Sequence, residues 1–155
     1  MDVRAAPAPW ERPTPAGDAG GGEFWAAAAE GRLLIQRCRA CAHLQFYPRQ
    51  LCTRCGGTPE WQQASGHGTV YTYTVIRQNG ARPFNAELPY IVAVIELDEG
   101  PRMLGNVTDC SPEEIAIGLP VVAYAVLAAE KVGIPFWERE HPGTPIRRSR
   151  DTSAS

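Results

Sequence analysis

The sequence predicts a mainly β chain, in which a short N-terminal helix and a zinc ribbon precede a five-stranded barrel. Two Cys-x-x-Cys pairs, Cys38–Cys41 and Cys52–Cys55, are separated by ten residues, a spacing typical of a four-thiolate metal site. From residue 65 onward, runs of β-branched and aromatic residues alternate with turn residues, as in a small all-β domain. Fourteen prolines and 15 glycines in 155 residues favour short strands and turns over long helices.

The N-terminal part is predicted to be a disordered leader over residues 1–22, followed by a helix over 23–30. The leader contains four prolines and a Gly-Gly-Gly run and has no helix or strand period. Four consecutive alanines favour the helix, and Gly31 is placed to end it. Two helical turns are not stable alone, so Phe24 and Trp25 must pack against either the ribbon of this chain or a partner protein. Both alternatives remain open from the sequence.

The helix and the zinc ribbon form the predicted unit 23–64. A strand over residues 32–37 leads into the first cysteine pair, residues 42–51 return to the second, and Trp61 begins the exit strand. Four soft ligands on two turns suit tetrahedral zinc, whereas an iron site accepts the same four-sulfur geometry. The sequence predicts one structural Zn²⁺ and leaves iron as the competing metal.

The second predicted unit, residues 65–138, is an OB-type barrel. Its strands are predicted at residues 69–76, 90–97, 102–108, 119–126 and 132–137. Ser111-Pro-Glu-Glu has the pattern of a capping box, and predicts a helix of one or two turns ending at Gly118. Residues 139–155 are polar and contain two prolines, and are predicted to be a flexible tail.

Charge and composition limit the function classes. The formal charge is −2 and the pI is about 5.9, which argues against nucleic-acid binding. The chain has neither a signal-peptide pattern nor an apolar run long enough to cross a membrane. A chain in a reducing compartment uses paired cysteines for metal more readily than for disulfides, so the prediction is a cytoplasmic protein without a membrane partner.

Ligand-binding candidates lie in the long loop between the first two barrel strands. Loops on a rigid scaffold often carry function. Within this loop, Arg77 and Arg82 could bind phosphate groups, and Phe84 lies close to them in sequence. Two solvated arginines are the alternative. Tyr71 and Tyr73 share one face of the first strand and either stack on a ligand or pack in the barrel.

The sequence nominates no catalytic residue. A closed four-cysteine site offers no open coordination position. His43 follows the first pair, but four thiolates already complete the site. Cys110 would need a base to act as a nucleophile, and none is evident, so a half-buried structural cysteine is favoured.

The order of motifs resembles a known family. Phe-Trp on a helix is followed by Glu-Gly-Arg-Leu, the first cysteine pair, Tyr-Pro-Arg, the second pair with Gly, and Gly-Thr-Val-Tyr-Thr-Tyr-Thr-Val. Leu-Pro-Tyr-Ile-Val-Ala-Val-Ile-Glu-Leu, Ile-Gly-Leu-Pro-Val and Ile-Pro-Phe come next. This sequence resembles the acyl-CoA-associated family known as domain of unknown function 35, over residues 23–137.

The resemblance implies a rubredoxin-like zinc ribbon joined to an OB fold, and a non-catalytic partner subunit of a thiolase-superfamily enzyme. Such partners include thiolases, lipid-transfer-protein-like aldolases of steroid or lipid metabolism, ketosynthase-like acyltransferases, and also MaoC-like hydratases. The resemblance implies that a CoA thioester is shared with the partner. Among functional residues, only the metal ligands carry over, onto Cys38, Cys41, Cys52 and Cys55.

Two competing functions remain at this point. A zinc ribbon followed by an OB barrel also occurs in nucleic-acid-binding modules, and the acidic pI disfavours that alternative. A rubredoxin-like electron carrier would hold iron in the same four-sulfur site. Metal content and a visible spectrum distinguish the electron carrier from a zinc protein.

Overall fold

A computed structural model describes residues 1–6, 9–15 and 20–141, in which strands dominate. The elements in chain order are β1 (Asp2–Ala5), α1 (Gly22–Ala29), β2 (Leu34–Cys38), β3 (Leu44–Gln45), β4 (Pro59–Gln63), β5 (His67–Ile76), a 3-10 turn (Phe84–Ala86), β6 (Tyr90–Leu97), β7 (Arg102–Thr108), β8 (Pro120–Ala129) and β9 (Val132–Arg139). The strands β3, β2 and β4 form a small sheet in that order, and the other six strands form a second sheet.

Five strands close into a barrel, as the sequence predicts. The order is β5, β6, β7, β9 and β8, and β8 pairs again with β5. The β7–β9 pair is parallel, and the other pairs in this ring are antiparallel. The strands β6 and β7 have the predicted bounds, whereas β8 and β9 both extend further because they form one long hairpin. This closed five-stranded arrangement is the OB architecture.

The core of the barrel includes one large, fully buried side chain. Trp137 on β9 has no exposed surface, and its indole lies against Gly105 on β7. A Cβ atom at position 105 would be 2.7 Å from the ring. The glycine therefore makes the space that the tryptophan occupies, since interiors are packed without room to spare.

The helix α1 packs directly on the backbone of β9. A Cβ atom at Gly133 would lie 2.4 Å from the backbone nitrogen of Ala29, so this contact requires glycine. The helix ends as predicted at Gly31, which has a φ of 81°. The N–H of Gly31 donates to the carbonyl of Ala28, and that of Arg32 donates to Ala27. These two bonds form a Schellman motif.

The prediction of a disordered leader is wrong at its beginning, because Asp2–Ala5 form a strand. This strand, β1, pairs in parallel with Tyr124–Leu127 of β8. The reason is an open edge: β5 pairs only with Pro120–Val122 of β8, and unpaired strand edges favour a further strand. The sheet around the barrel therefore has six strands where the sequence predicts five.

Trp10 and Arg12, which follow β1 in the chain, lie against the β8–β9 hairpin. Trp10 packs against Tyr124, Val126 and Phe136, and these residues form an apolar cluster separate from the barrel interior. The guanidinium of Arg12 lies 5.2 Å from the ring of Phe136. A proline-rich composition alone does not reveal such packing, because it depends on a distant hairpin.

The predicted helix after β7 is only one turn. The N–H of Ser111 donates to Oε2 of Glu114 at 2.9 Å, which is half of the expected capping box and the main reason that the pKa of Glu114 is lowered. The chain then leaves the helical path, because the N–H of Gly118 donates to the carbonyl of Val70 on β5. Pairing with the barrel thus replaces further helix.

The structure describes only the first three residues, 139–141, of the predicted C-terminal tail. The strand β9 extends through Arg139, so the predicted tail of residues 139–155 begins with strand. Residues 142–155 lie outside the described part of the chain. The predicted unit boundaries at residues 64 and 138 stay predictions.

Candidate metal centre

The structure brings the four paired cysteines together. Their Sγ atoms all lie within 4.8 Å of one another. The distance is 3.5 Å between Cys38 and Cys55, and 3.7 Å between Cys41 and Cys52. A zinc ion with Zn–S bonds of about 2.3 Å has sulfur–sulfur distances of about 3.8 Å. In the described part of the chain, this is the one group of three or more side chains placed to hold a metal ion.

Two turns of matching geometry deliver the sulfur atoms. In the first, the N–H of Ala42 donates to the carbonyl of Cys38, and in the second the N–H of Gly56 donates to that of Cys52. Ala42 and Gly56 occupy equivalent places and both have positive φ, 57° and 74°. Glycine adopts this conformation without strain, whereas alanine does not. The two halves of the site therefore share one backbone design.

The polar surroundings favour anionic sulfur. The pKa of the Cys38 thiol is lowered to about 6, first because the backbone N–H of Cys41 donates to it. The N–H of Gly57 acts in the same direction on Cys55, but the neighbouring thiols outweigh it and raise the pKa of Cys55 to about 12. Because the pKa of one thiol is lowered and that of the other is raised, the cluster stabilises a first thiolate, and that negative charge disfavours a second one. A divalent soft cation offsets that repulsion, so the donor set fits zinc.

Gly57 also matters for space. A Cβ atom there would lie 3.1 Å from the sulfur of Cys38 and 3.3 Å from that of Cys55. The backbone N–H of Arg54 points at the sulfur of Cys52, at 3.4 Å. Such N–H groups orient thiolate ligands and reduce their charge.

Two buried glutamines form a network that the sequence analysis missed. The side chains of Gln36 and Gln45 join at 3.0 Å. Gln36 accepts from the N–H of Arg49 and donates to its carbonyl, while Gln45 accepts from the N–H of Thr53. The signal in the sequence is a glutamine directly after the apolar run Leu33-Leu-Ile35, within the predicted strand. Buried amides of this kind must be fully hydrogen-bonded, and here they fix the loop between the two cysteine pairs.

The two aromatic residues of α1 are placed differently from each other. Phe24 is 3% exposed and its ring packs 5.2 Å from Phe46 of the ribbon. Of the two alternatives left open, Phe24 packs on the ribbon of its own chain, and its role in partner binding stays a prediction. Trp25 is half-buried beside it, with a ring distance of 4.8 Å. A role for Trp25 in partner binding stays a prediction.

The three loop candidates are not gathered around one site. Arg82 lines a shallow groove of about 320 Å³ together with Glu11. Phe84 is half-buried, and the guanidinium of Arg12 lies 5.3 Å from its ring. Arg77 is exposed at the end of β5 and does not line that groove. Their role in ligand binding stays a prediction.

Cys110 lies away from the metal centre and is half-buried. Its Sγ contacts the carbonyl of Ser111 at 3.6 Å and accepts from Nη2 of Arg139 at 3.8 Å. These contacts agree with the expected half-buried structural cysteine. No helix in the described part of the chain is long and apolar enough to cross a membrane.

Comparison with known proteins gives matches to both halves of the chain. The model of the rubredoxin-like zinc ribbon domain of ChsH2 matches residues 25–61. The model of the C-terminal OB-fold domain of ChsH2 matches residues 61–126. The two matched domains are the ribbon and the barrel described above.

Curated relatives match over part of their length. A probable enoyl-CoA hydratase alpha subunit from Thermomonospora curvata is 37% identical over 140 residues, which is 89% of this chain and 42% of that protein. A DUF35 domain-containing scaffold protein from Methanocaldococcus jannaschii is 39% identical over 93 residues, which is 59% of this chain and 65% of that protein. The chain thus spans less than two thirds of either relative.

One solved structure is similar over nearly its whole chain. In the Ltp2-ChsH2(DUF35) aldolase, a chain with 36% sequence identity superposes with a TM-score of 0.73. The alignment covers 81% of the present chain and 98% of that chain.

Proposed function

Because the chain belongs to the DUF35 family, whose ChsH2 members join a rubredoxin-like zinc ribbon to an OB-fold domain, we propose that it is a non-catalytic accessory or scaffold subunit of an acyl-CoA-processing enzyme complex. The observation that carries this proposal is the match to 98% of a chain in the Ltp2-ChsH2(DUF35) aldolase. The name of that complex pairs a DUF35 chain with a second protein. The relative from M. jannaschii is itself described as a scaffold protein.

The metal centre has a structural task in this proposal. Cys38, Cys41, Cys52 and Cys55 would hold one zinc ion, which stabilises the ribbon when bound. Four protein ligands leave no coordination position for a substrate. Metal binding at such a site contributes folding free energy on the order of 10 kcal/mol. The catalytic groups of the complex would then belong to the partner enzyme.

The partner is proposed to be a thiolase-superfamily enzyme, of the thiolase, lipid-transfer-protein-like aldolase or ketosynthase-like type. A MaoC-like hydratase is the second candidate, since the relative from T. curvata is named as a hydratase subunit and is more than twice as long as the matched region. The two partner classes predict different reactions in the assembled complex. Each class can be produced together with this chain and tested separately.

The subunit is also proposed to contribute to a CoA site shared with its partner. Arg82 is the best placed of the loop candidates, because it lines a groove between the N-terminal segment and the loop that joins β5 to β6. A guanidinium suits the phosphate groups of CoA. Glu11 lines the same groove and weakens that attraction, so any contribution of Arg82 depends on the partner completing the site.

Co-production with a candidate partner tests the main proposal. We expect the chain and a thiolase-superfamily enzyme to elute together in size-exclusion chromatography, with enzyme activity or solubility higher than for the enzyme alone. The chain alone should turn over no acyl-CoA substrate. Enzymes that are fully active alone and never co-elute with the chain would remove this proposal, and the same experiment with a MaoC-like hydratase tests the second candidate.

Metal analysis and a visible spectrum test the competing functions. A colourless protein with one zinc per chain supports the structural site, whereas a red iron protein supports electron transfer. A salt-sensitive complex with single-stranded DNA or RNA at physiological ionic strength would support a nucleic-acid-binding module instead.

A further inference from the structure

The ribbon carries a positive charge on an acidic chain. Five of the 15 basic residues and none of the 17 acidic residues lie between positions 31 and 59. These five residues are Arg32, Arg37, Arg39, Arg49 and Arg54. A zinc ion with four thiolates adds a net charge of −2, so the ribbon remains positive. The rest of the chain holds ten basic and 17 acidic residues.

Only part of this charge is neutralised within the described residues. Arg32 pairs with Glu30 at 2.6 Å, and Arg39 pairs with Glu60 at 2.9 Å. The side chains of Arg37, Arg49 and Arg54 are in exposed residues, and none of them forms a salt bridge with a described acidic residue. These three arginines are available to a negatively charged surface.

Large apolar side chains are exposed beside these arginines. Tyr47 is 55% exposed and Leu51 is 61% exposed, on the loop that leads from β3 to the second cysteine pair. The ring of Tyr47 lies 4.6 Å from that of Phe46, which packs against the buried Phe24. Tyrosine and arginine, together with tryptophan, are enriched at the energetic centres of protein interfaces.

The loop is held in place by the two buried glutamines. Gln36 binds both the N–H and the carbonyl of Arg49, at 2.8 and 3.0 Å. Gln45 donates to the carbonyl of Leu51 at 3.4 Å. The exposed side chains therefore project from a fixed backbone, and binding a partner costs less conformational entropy than it would for a mobile loop.

A groove adjoins this loop. It has a volume of about 350 Å³ and lies between the beginning of α1 and the ribbon. Its lining includes Glu23 on one side, and Arg49, Gln50 and Trp61 on the other. One apolar or amide side chain of a partner would fit such a space, with its neighbours in reach of the arginines.

We propose that the ribbon loop surface, defined as Tyr47, Arg49, Leu51 and Arg54 with the adjoining groove, is the docking site for the acyl-CoA enzyme partner. The facing surface of that enzyme is then acidic and carries an apolar side chain at its centre. This inference rests on the proposed accessory function, and it adds which face of the chain the partner binds. Charge complementarity favours a partner with a carboxylate-rich surface, and two copies of this positive ribbon surface would repel each other.

Photo-crosslinking tests the position of the interface. A benzoylphenylalanine replaces Tyr47 in the full, zinc-loaded chain, and the same group at Tyr71 on the barrel, which is 46% exposed, serves as the matched control. With the thiolase-superfamily enzyme that co-elutes with the unmodified chain, we expect crosslinks from position 47 and few from position 71. Crosslinks mainly from position 71, or mainly between two copies of the chain, would overturn the docking site.

Charge reversal and charge removal test the chemistry of the interface. The variants Arg49→Glu and Arg54→Gln should each weaken binding of the same enzyme, Arg49→Glu at least tenfold and with zinc content and melting temperature unchanged. Lys131→Glu, at the exposed turn between β8 and β9, is the control and should change affinity less than twofold. Equal affinity for all variants would overturn the docking site while leaving the accessory function in place. No binding by the unmodified chain would overturn both proposals. If the arginine variants lost binding to a single-stranded oligonucleotide and kept their affinity for the enzyme, the surface would be a nucleic-acid-binding surface, and the docking-site proposal would be overturned.

Discussion

The ribbon and the barrel are consecutive regions of one chain, but each is stabilised by a different kind of interaction. The ribbon sheet has strands of five, two and five residues, and its interior includes the amide pair Gln36 and Gln45. Every barrel strand has seven or more residues, and the core includes the fully buried Trp137. A sheet as small as the ribbon cannot bury enough apolar surface to be stable alone. Leu33, Leu34 and Ile35 join the buried cluster of the barrel, but the cysteine turns of the ribbon lie beyond that cluster. The ribbon thus depends on its metal more than the barrel does.

Removing the metal should separate the two regions most strongly. A chelator, or the variant Cys52→Ser, should abolish hydrogen-exchange protection in β2 and β4, because the site supplies free energy on the order of 10 kcal/mol. Protection in β6 and β8 should persist, measured by hydrogen exchange with mass spectrometry. The variant Cys110→Ser is the control, since Cys110 lies outside the metal centre. Simultaneous loss of protection in both regions would mean that they fold as one unit.

Zinc release should also follow pH. Binding requires deprotonated sulfur, so protons compete with the metal as the solution becomes acidic. We expect zinc content per chain to fall on acidification while the barrel strands stay protected from exchange. A zinc content that does not change down to the pH at which the barrel itself unfolds would contradict the dependence of the ribbon on thiolate ligands.

The stability of the barrel should depend on the absence of a side chain at Gly133, where α1 packs on β9. Gly133→Ala would place a Cβ atom 2.4 Å from the backbone of Ala29 in α1, and backbone cannot move aside as a side chain does. We expect a loss of about 3 kcal/mol, at the upper end of overpacking effects, measured by chemical denaturation. Gly80→Ala is the control, because no atom lies within 4 Å of its added Cβ. Equal stability of the two variants would show that α1 does not pack on β9.

Removing the Gln36 side chain should cause a smaller loss of stability, confined to the ribbon. Gln36→Leu leaves the backbone N–H and carbonyl of Arg49 without their partner, and such unpaired groups cost about 1–3 kcal/mol. The ribbon should lose stability in denaturation monitored by zinc release. Glu60→Gln is a control on the same sheet, because Glu60 is not fully buried and pairs with exposed Arg39. If the glutamine network did not stabilise the ribbon, Gln36→Leu and Glu60→Gln would have the same stability.

The sequence predicts the parts of this chain that depend on local patterns. The grouping of the four cysteines, the end of α1 at Gly31, and the bounds of β6 and β7 follow from spacing, glycine placement and alternation, and the structure has each of them. The misses all depend on distant partners. The strand Asp2–Ala5 forms because β8 has an open edge, and the turn after Ser111 stops short because Gly118 pairs with β5.

The candidate site beyond the metal was less predictable for the same reason. Phe24 is buried by Phe46, which lies 22 positions later in the chain, so composition could not decide between the ribbon and a partner. The structural importance of Gln36 is invisible until the loop at Arg49 folds over it. Surface charge, in contrast, was present in the sequence as a block of arginines, but only the structure shows which of them have partners.

The smallest effect expected compares the two cysteine turns with each other. Ala42 and Gly56 occupy equivalent positions with φ of 57° and 74°, and only the alanine is strained there, by about 1–2 kcal/mol. Ala42→Gly should therefore stabilise the ribbon by about 0.5–1 kcal/mol, because the greater entropy of glycine in the unfolded chain offsets part of the relief. Gly56→Ala should destabilise it by a similar amount, and no atom within 4 Å of the added Cβ complicates that variant. Denaturation followed by zinc release measures both changes. If both substitutions changed stability in the same direction, the two turns would not be conformational equivalents, and a property other than backbone strain would set the choice of residue after each cysteine pair.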